Sequence, residues 1–174
     1  MFVFTGVQPM QEKENQFLVS YDAHADALFR FAYFQVSDRE AANDIVQDVF
    51  METWKYLSEG GEIENFRAFL YRVARNRIID HYRKHRSQSL DAIQESGMDF
   101  SDERSREVSE ARSEAMHILR LLDRVDKKYR EPVLLRYMEG MGVKEIAQIL
   151  DESESNTSVL IHRGIEQLKK LAHI

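Results

Sequence analysis

The chain has 174 residues, with 24 Lys and Arg against 30 Asp and Glu, a formal net charge of −6 and no Cys. That length holds one compact domain or two small ones, and the missing thiols exclude a disulfide framework, a thiolate zinc site and cysteine nucleophile chemistry. No apolar run approaches the roughly 18 residues of a membrane span, and Phe2-Val3-Phe4 lacks the basic residues that open a secretory signal, so a cytoplasmic protein without membrane insertion is expected.

Only two Pro and seven Gly argue against a β-rich chain. Residues 1–10 fit no element, and 1–20 read as an N-terminal extension. From 22 to 36, Ala25, Leu28, Phe29, Ala32, Tyr33 and Val36 recur at helical spacing. Ser37-Asp38-Arg39-Glu40 reads as a capping box, with Ser37 as N-cap. The helix it opens runs to about Leu57 on the stripe Ala42, Ile45, Val46, Val49, Phe50, Trp54 and Leu57, with acidic residues on its other face. Ser58-Glu59-Gly60-Gly61 breaks the repeat. Asn65 is the expected N-cap of a third helix over 66–86, carrying Phe69, Leu70, Val73, Ala74, Ile78 and Tyr82.

Residues 87–112 hold six Ser and seven acidic residues and few apolar ones, the composition of a linker. The helical repeat returns at 113, with Met116, Leu119, Leu122 and Val125 on one helix. A second helix spans about 127–139, with Pro132 expected at an early turn or a kink and Gly140 ending it. Val143 to Leu150 is a short amphipathic helix, Asp151 to Ser155 a polar interruption, and a last helix continues to about Leu171. The expected architecture is all-α, two helical domains joined by an acidic tether.

The charge is unevenly placed. Residues 37–64 carry two basic and eight acidic side chains, whereas 65–86 carry Arg67, Arg72, Arg75, Arg77, Arg83, Lys84 and Arg86 against Asp80 alone. A basic block in an acidic chain is either a solvated helix face or a footprint for phosphate. Phe66, Phe69, Tyr71 and Tyr82 lie among these arginines, and cations beside aromatic rings suit single-stranded nucleic acid, although most of the rings also fit a core.

The C-terminal segment has helix–turn–helix spacing. Ala147 permits close approach of a second helix, and the N-terminal part of that helix would enter the major groove. Ser153, Ser155, Asn156, Thr157 and Ser158 are short hydrogen-bonding residues there, and His162 and Arg163 can reach phosphate; an ordinary helical hairpin is the plainer alternative. His81 and His85 have metal-ligand spacing without a third ligand, so no metal or cofactor is expected. Asp44 and Asp48 lie on a solvated face, and no phosphate loop, nucleophile elbow or triad is present, so the chain is not expected to be an enzyme.

Taken in order, these motifs resemble a known family. Asp44-Ile-Val-Gln-Asp-Val-Phe50 followed by Trp54 looks like region 2 of bacterial sigma factors, continued by Asn65 to Asn76, Asp80 and Arg83-Lys84. Tyr129 to Tyr137 and Val143 to Leu150 resemble region 4. Two such regions on a short tether resemble the extracytoplasmic-function (ECF) subfamily. The resemblance implies region 2 at 21–86, a linker at 87–112 and region 4 at 113–174.

It also implies a division of labour. Asp44, Gln47, Asp48, Phe50, Glu52 and Trp54 would serve the contact with the β′ clamp helices of core RNA polymerase, as polar contacts, apolar contacts or local core. The loop with Gly60 and Gly61, and the helix with Asn65, Phe66, Arg67, Arg72, Arg75, Asn76, Arg77, Asp80, Arg83 and Lys84, would melt and read the −10 element, receiving a flipped base. The acidic linker would run through the RNA path. The C-terminal unit would meet the β flap and read the −35 element with Ser153, Ser155, Asn156, Thr157, Ser158, His162 and Arg163. An anti-sigma partner is implied as well.

One departure stands out. Where the family often has Gly in the turn and basic residues early in the recognition helix, this chain has Asp151, Glu152 and Glu154. Acidic groups near phosphate weaken duplex binding. A sigma-like regulator that does not initiate transcription is therefore the competing expectation, and a phosphate-cleaving helical enzyme built on the carboxylate-rich helix a remote third.

Overall fold

The structure, a computed structural model, describes residues 8–88, 117–118 and 120–173, and every element among them is helical. The chain divides into two compact units, the first built from the helices before residue 89 and the second from those after 116.

In the first unit, α1 (Gln8–Val36), α2 (Arg39–Ser58) and α3 (Phe66–Gln88) pack mutually. α1 starts 14 residues before the expected helix at 22, so most of the expected extension is helix. Gln11-Glu-Lys-Glu-Asn-Gln16 shows no apolar repeat, yet these are mostly good helix formers, and the turn they support puts Phe17 5.2 Å from the Trp54 ring. The core of this unit is Leu28, Phe31, Ala32 and Phe34 of α1 against Ala42, Ile45, Val49, Phe50 and Leu57 of α2 and Leu70, Tyr71, Val73, Ala74 and Ile78 of α3. α1 is covered by both other helices, so Phe31 and Phe34, outside the expected stripe, are buried while Phe29 and Tyr33 are half-buried and stacked on each other.

The cap of α2 differs from the expected one. Ser37 takes a left-handed conformation (φ 55°) and its N–H bonds the Tyr33 carbonyl, ending α1. Asp38 holds the extended backbone that an N-cap needs, and its carboxylate accepts from the Ala41 N–H at 3.0 Å. Glu40 therefore stands in the first turn as a charge favourable to the helix dipole rather than closing a box. Asn65 caps α3 as expected, its side-chain oxygen accepting from the Ala68 N–H. The expected linker at 87–112 lies outside the described residues except for 87 and 88, which belong to α3.

The second unit contains α4 (Lys127–Tyr137), α5 (Val143–Leu150) and α6 (Glu154–Ala172), preceded by helical residues 120–123. Met116 and Leu119, expected on that preceding helix, lie outside the described residues; Leu122 and Val125 are buried. Pro132 occupies the second turn of α4 and is buried, with the helix continuing through it. α4 ends at Tyr137, and Gly140 (φ 65°) follows in the turn to α5.

Two features lock this unit. The Asp126 backbone N–H donates to the Gln167 side-chain oxygen, and the Gln167 amide donates back to the Asp126 carboxylate at 3.0 Å. Gly164 of α6 lies so close to α4 that a Cβ there would stand 2.5 Å from Val133 Cγ2 and 3.0 Å from the Tyr129 carbonyl oxygen. Ala147, expected to permit the close helix approach, is buried, and Gly164 adds a close approach between α6 and α4.

Candidate polymerase and nucleic-acid interfaces

The face of α2 carries two different surfaces. On the α1 side runs an open apolar groove, bordered by Phe17, Leu18, Tyr21, Gln47, Met51 and Trp54. Met51 is 70% exposed and Leu18 52% exposed. Such an exposed strip beside a well-packed core is what a protein partner covers. Phe50 forms the floor: it is 5% exposed, with the Tyr21 ring centre at 4.6 Å and Phe17 edge-on at 6.0 Å. Of the residues expected at a polymerase contact, Gln47 and Trp54 border this groove and Phe50 supports it. Leu18, Tyr21 and Met51 were not expected; the run Leu18-Val19 and the solvent-side Met51 are their only signal in the sequence.

On the α3 side lies a polar cleft lined by Asp38, Asp44, Asp48, Arg77, Asp80 and Lys84, among others. Asp44 and Asp48 belong here rather than to the groove. Glu52, another expected polymerase contact, accepts a 2.6 Å hydrogen bond from Arg77, an expected DNA contact. That bond raises the Arg77 pKa, with further help from the carboxylates of Asp48 and Asp80. Asp80 also pairs with Arg83 at 3.5 Å. The acidic helix thus holds part of the basic one.

The loop between α2 and α3 has a fixed shape. Gly60 has φ 97°, a conformation side chains resist. Gly61 is held for a different reason, since a Cβ on it would fall 2.4 Å from the Tyr56 ring. Tyr56 packs on Phe69 at 5.2 Å, and the Arg72 guanidinium stands 6.0 Å from the Phe69 ring centre. Tyr56 is 42% exposed, so the loop, two rings and a cation form a platform on which an unpaired base can stack. Phe66, Arg67 and Arg75 are half-buried, and Arg72, Asn76, Arg83 and Lys84 are exposed. Tyr71, grouped with the stacking aromatics by sequence, is fully buried against Phe31. Tyr82 donates its hydroxyl proton to the Gln35 carbonyl.

In the second unit Asp151 takes the left-handed conformation (φ 57°) that ends α5, and the Glu152 N–H bonds the Ala147 carbonyl. Ser153 caps α6, accepting from the Asn156 N–H at 3.1 Å. The Asn156 side-chain amide donates to Glu152 at 2.7 Å. Ser155, Ser158, His162 and Arg163 are exposed on the same helix, with His162 3.5 Å from Glu166. Thr157, expected to face DNA, is instead fully buried: one turn from the cap it points inward, and its hydroxyl has no hydrogen-bond partner. The cationic side chains of Arg163 and, next, Lys128 act on the Tyr129 hydroxyl and hold the phenol below its usual pKa.

Comparison with known proteins follows this division. Sigma-70 region 2 matches residues 20–88 and Sigma-70 region 4 matches residues 115–168. The RNA polymerase sigma factor SigZ of Bacillus subtilis is 30% identical over 153 residues, covering 87% of this chain and 84% of SigZ. The ECF RNA polymerase sigma factor BldN of Streptomyces coelicolor is 28% identical over 155 residues; the match covers 87% of this chain but only 58% of BldN. Among solved structures, the sigma factor RpoE of Bartonella quintana, in complex with the anti-sigma factor NepR, has a TM-score of 0.70 at 20% identity, over 94% of this chain and 98% of that one. At that identity the likeness is one of fold.

Proposed function

The chain belongs to the sigma-70 family, in its ECF group, and on that premise we propose how its surfaces divide promoter-directed initiation. It binds core RNA polymerase and directs promoter recognition, −10 melting and transcription initiation, in the cytoplasm. The polymerase carries out the chemistry, while this chain supplies specificity and strand separation without catalysing a reaction.

The apolar groove of Phe17, Leu18, Met51 and Trp54, with Gln47 at its edge, receives the β′ clamp helices. The α2–α3 loop and the exposed cations of α3 take the non-template strand of the −10 element. Extracting a base from the duplex costs a few kcal/mol, which stacking and phosphate contacts must offset. The second unit approaches the β flap and presents α6 to the −35 element. An anti-sigma partner would compete for these surfaces; the sigma factor RpoE, solved with NepR, supports that reading by analogy of fold.

The observation that carries the assignment is the platform of Tyr56, Phe69 and Arg72 beside Gly61. Stacking on such rings contributes about 1–3 kcal/mol per base. Holoenzyme carrying Tyr56→Ala should therefore bind single-stranded DNA at least fivefold more weakly in fluorescence anisotropy, with core affinity retained. Equal DNA affinity would remove this platform from the −10 contact.

The second reading, a sigma-like regulator that does not initiate, is favoured by one observation. Asp151, Glu152 and Glu154 bring negative charge to the start of α6, where Glu152 also holds Asn156. Transcription in vitro separates the two readings, because a regulator of this kind would bind core without yielding a transcript.

A further inference from the structure

Lys13 lies in the first turns of α1, upstream of the segment that matches Sigma-70 region 2, and belongs to no recognised motif. Its half-buried side chain crosses to the far end of α2, where Nζ donates to the Leu57 carbonyl at 3.2 Å and to the Gly61 carbonyl at 3.1 Å. The last carbonyls of a helix lack intrahelical partners and form the negative end of its dipole, so a cation there is favourable. Neighbouring carbonyls are satisfied from within the turn: Lys55 by the Glu59 N–H, and Tyr56 by the Gly61 N–H at 2.9 Å. Leu57 also receives the Gly60 N–H.

The consequence is geometric. Gly61 is fixed from both sides, by the Tyr56 ring against its Cα and by Lys13 on its carbonyl. Gly60, with φ 97°, is confined between Leu57 and Gly61, the two residues that Lys13 ties together. One ammonium from the chain's N-terminal helix therefore sets the path of the loop beside the Tyr56–Phe69 platform.

We propose that Lys13 is a positioning residue for base reading: it holds the 59–64 loop in the conformation that receives an unstacked −10 base. This rests on the assignment of that loop to the −10 element. The Lys13 ammonium is bonded to two backbone carbonyls, so its effect should fall on discrimination between bases more than on general affinity for DNA. Arg at this position keeps donors for two carbonyls, whereas Met keeps the length of the stem and loses all of them.

The test uses the full chain bound to core RNA polymerase. Wild type, Lys13→Met, Lys13→Arg and a Glu62→Ala/Ile63→Ala loop variant each select from a randomised single-stranded oligonucleotide pool, which is then sequenced. Amide hydrogen exchange at residues 59–63 and core affinity are measured alongside. The expected result is that Lys13→Met lowers the preference for the selected base about tenfold and speeds exchange in the loop. Core affinity and total pool binding persist, and Lys13→Arg restores the preference. If the loop variant alters base preference while Lys13→Met does not, the positioning role is overturned and the loop assignment stands. If neither alters it, the loop assignment fails and the proposal with it. Loss of base preference in Lys13→Met without faster loop exchange, or without rescue by Arg, also overturns the proposal.

Discussion

Arg77 of α3 and Glu52 of α2 are joined across 2.6 Å, although one lies on the basic helix and the other on the acidic one. Both side chains are partly exposed, at 39% and 45%, so the pair contributes at most about 1 kcal/mol to stability. Its larger effect is on availability, since an arginine beside the surface proposed for the −10 strand is held by a carboxylate. Glu52→Gln should free Arg77 and tighten binding of single-stranded DNA, steepening the salt dependence of log Kd by about 0.7, the slope of one added phosphate contact. A salt titration of DNA affinity checks this, and an unchanged slope would mean that Arg77 does not reach phosphate.

The groove and its floor should respond differently to mutation. Phe50→Ala removes a buried ring between Tyr21 and Phe17 and should cost about 3–5 kcal/mol of stability, read by urea unfolding. Met51→Glu changes an exposed side chain and should leave stability within about 0.5 kcal/mol. That variant should nevertheless bind core polymerase at least tenfold more weakly, because it places a charge in the strip proposed for that partner. Full core affinity of Met51→Glu would remove the groove from the interface.

Asp151 occupies a left-handed position that glycine adopts without strain. Asp151→Gly should stabilise the second unit by about 0.5–1 kcal/mol, and it removes a negative charge beside the start of α6. Both the melting temperature and the affinity for duplex DNA should rise. A lower melting temperature would show that the Asp side chain contributes more to the turn than its backbone strain costs.

Tyr129 and Arg163 supply a prediction in pH. The Arg163 guanidinium, aided by Lys128, depresses the phenol pKa in the folded state. The folded chain then releases its proton before the unfolded chain does, so this group's contribution to stability grows as pH rises and is fully present above about 10, the unfolded value. It is lost as pH falls through the folded value. An absorbance titration should show one of the seven tyrosines ionising early, and Arg163→Leu should return it to the ordinary range. Duplex DNA that recruits Arg163 to phosphate should shift it in the same direction; no response to DNA would place Arg163 away from the contact.

The long helices and the order of the two regions were legible because their signals are local. Apolar residues at helical spacing mark α2 and α3, and Asn65 caps α3 within three residues of its own position. What was hidden depends on tertiary position. The α1 start carries no apolar repeat between Gln11 and Gln16, and its place is secured by Phe17 on Trp54 and by Lys13, 44 residues before the carbonyl it meets at Leu57. Ser37 and Asp38 are both good caps by composition; only the left-handed turn at Ser37 decides between them. Thr157 has the chemistry of a DNA-reading residue but lies on the inward side of α6. The Arg77–Glu52 bond joins residues 25 apart, which no spacing rule pairs.

The central claim, that this chain directs initiation by core RNA polymerase, is tested most directly by run-off transcription with purified core enzyme over fragments of the source genome. The account predicts discrete transcripts that require this protein and that share a −10 sequence upstream of their starts. Core binding without any such transcript would contradict it in favour of a non-initiating regulator, and absence of core binding would contradict both.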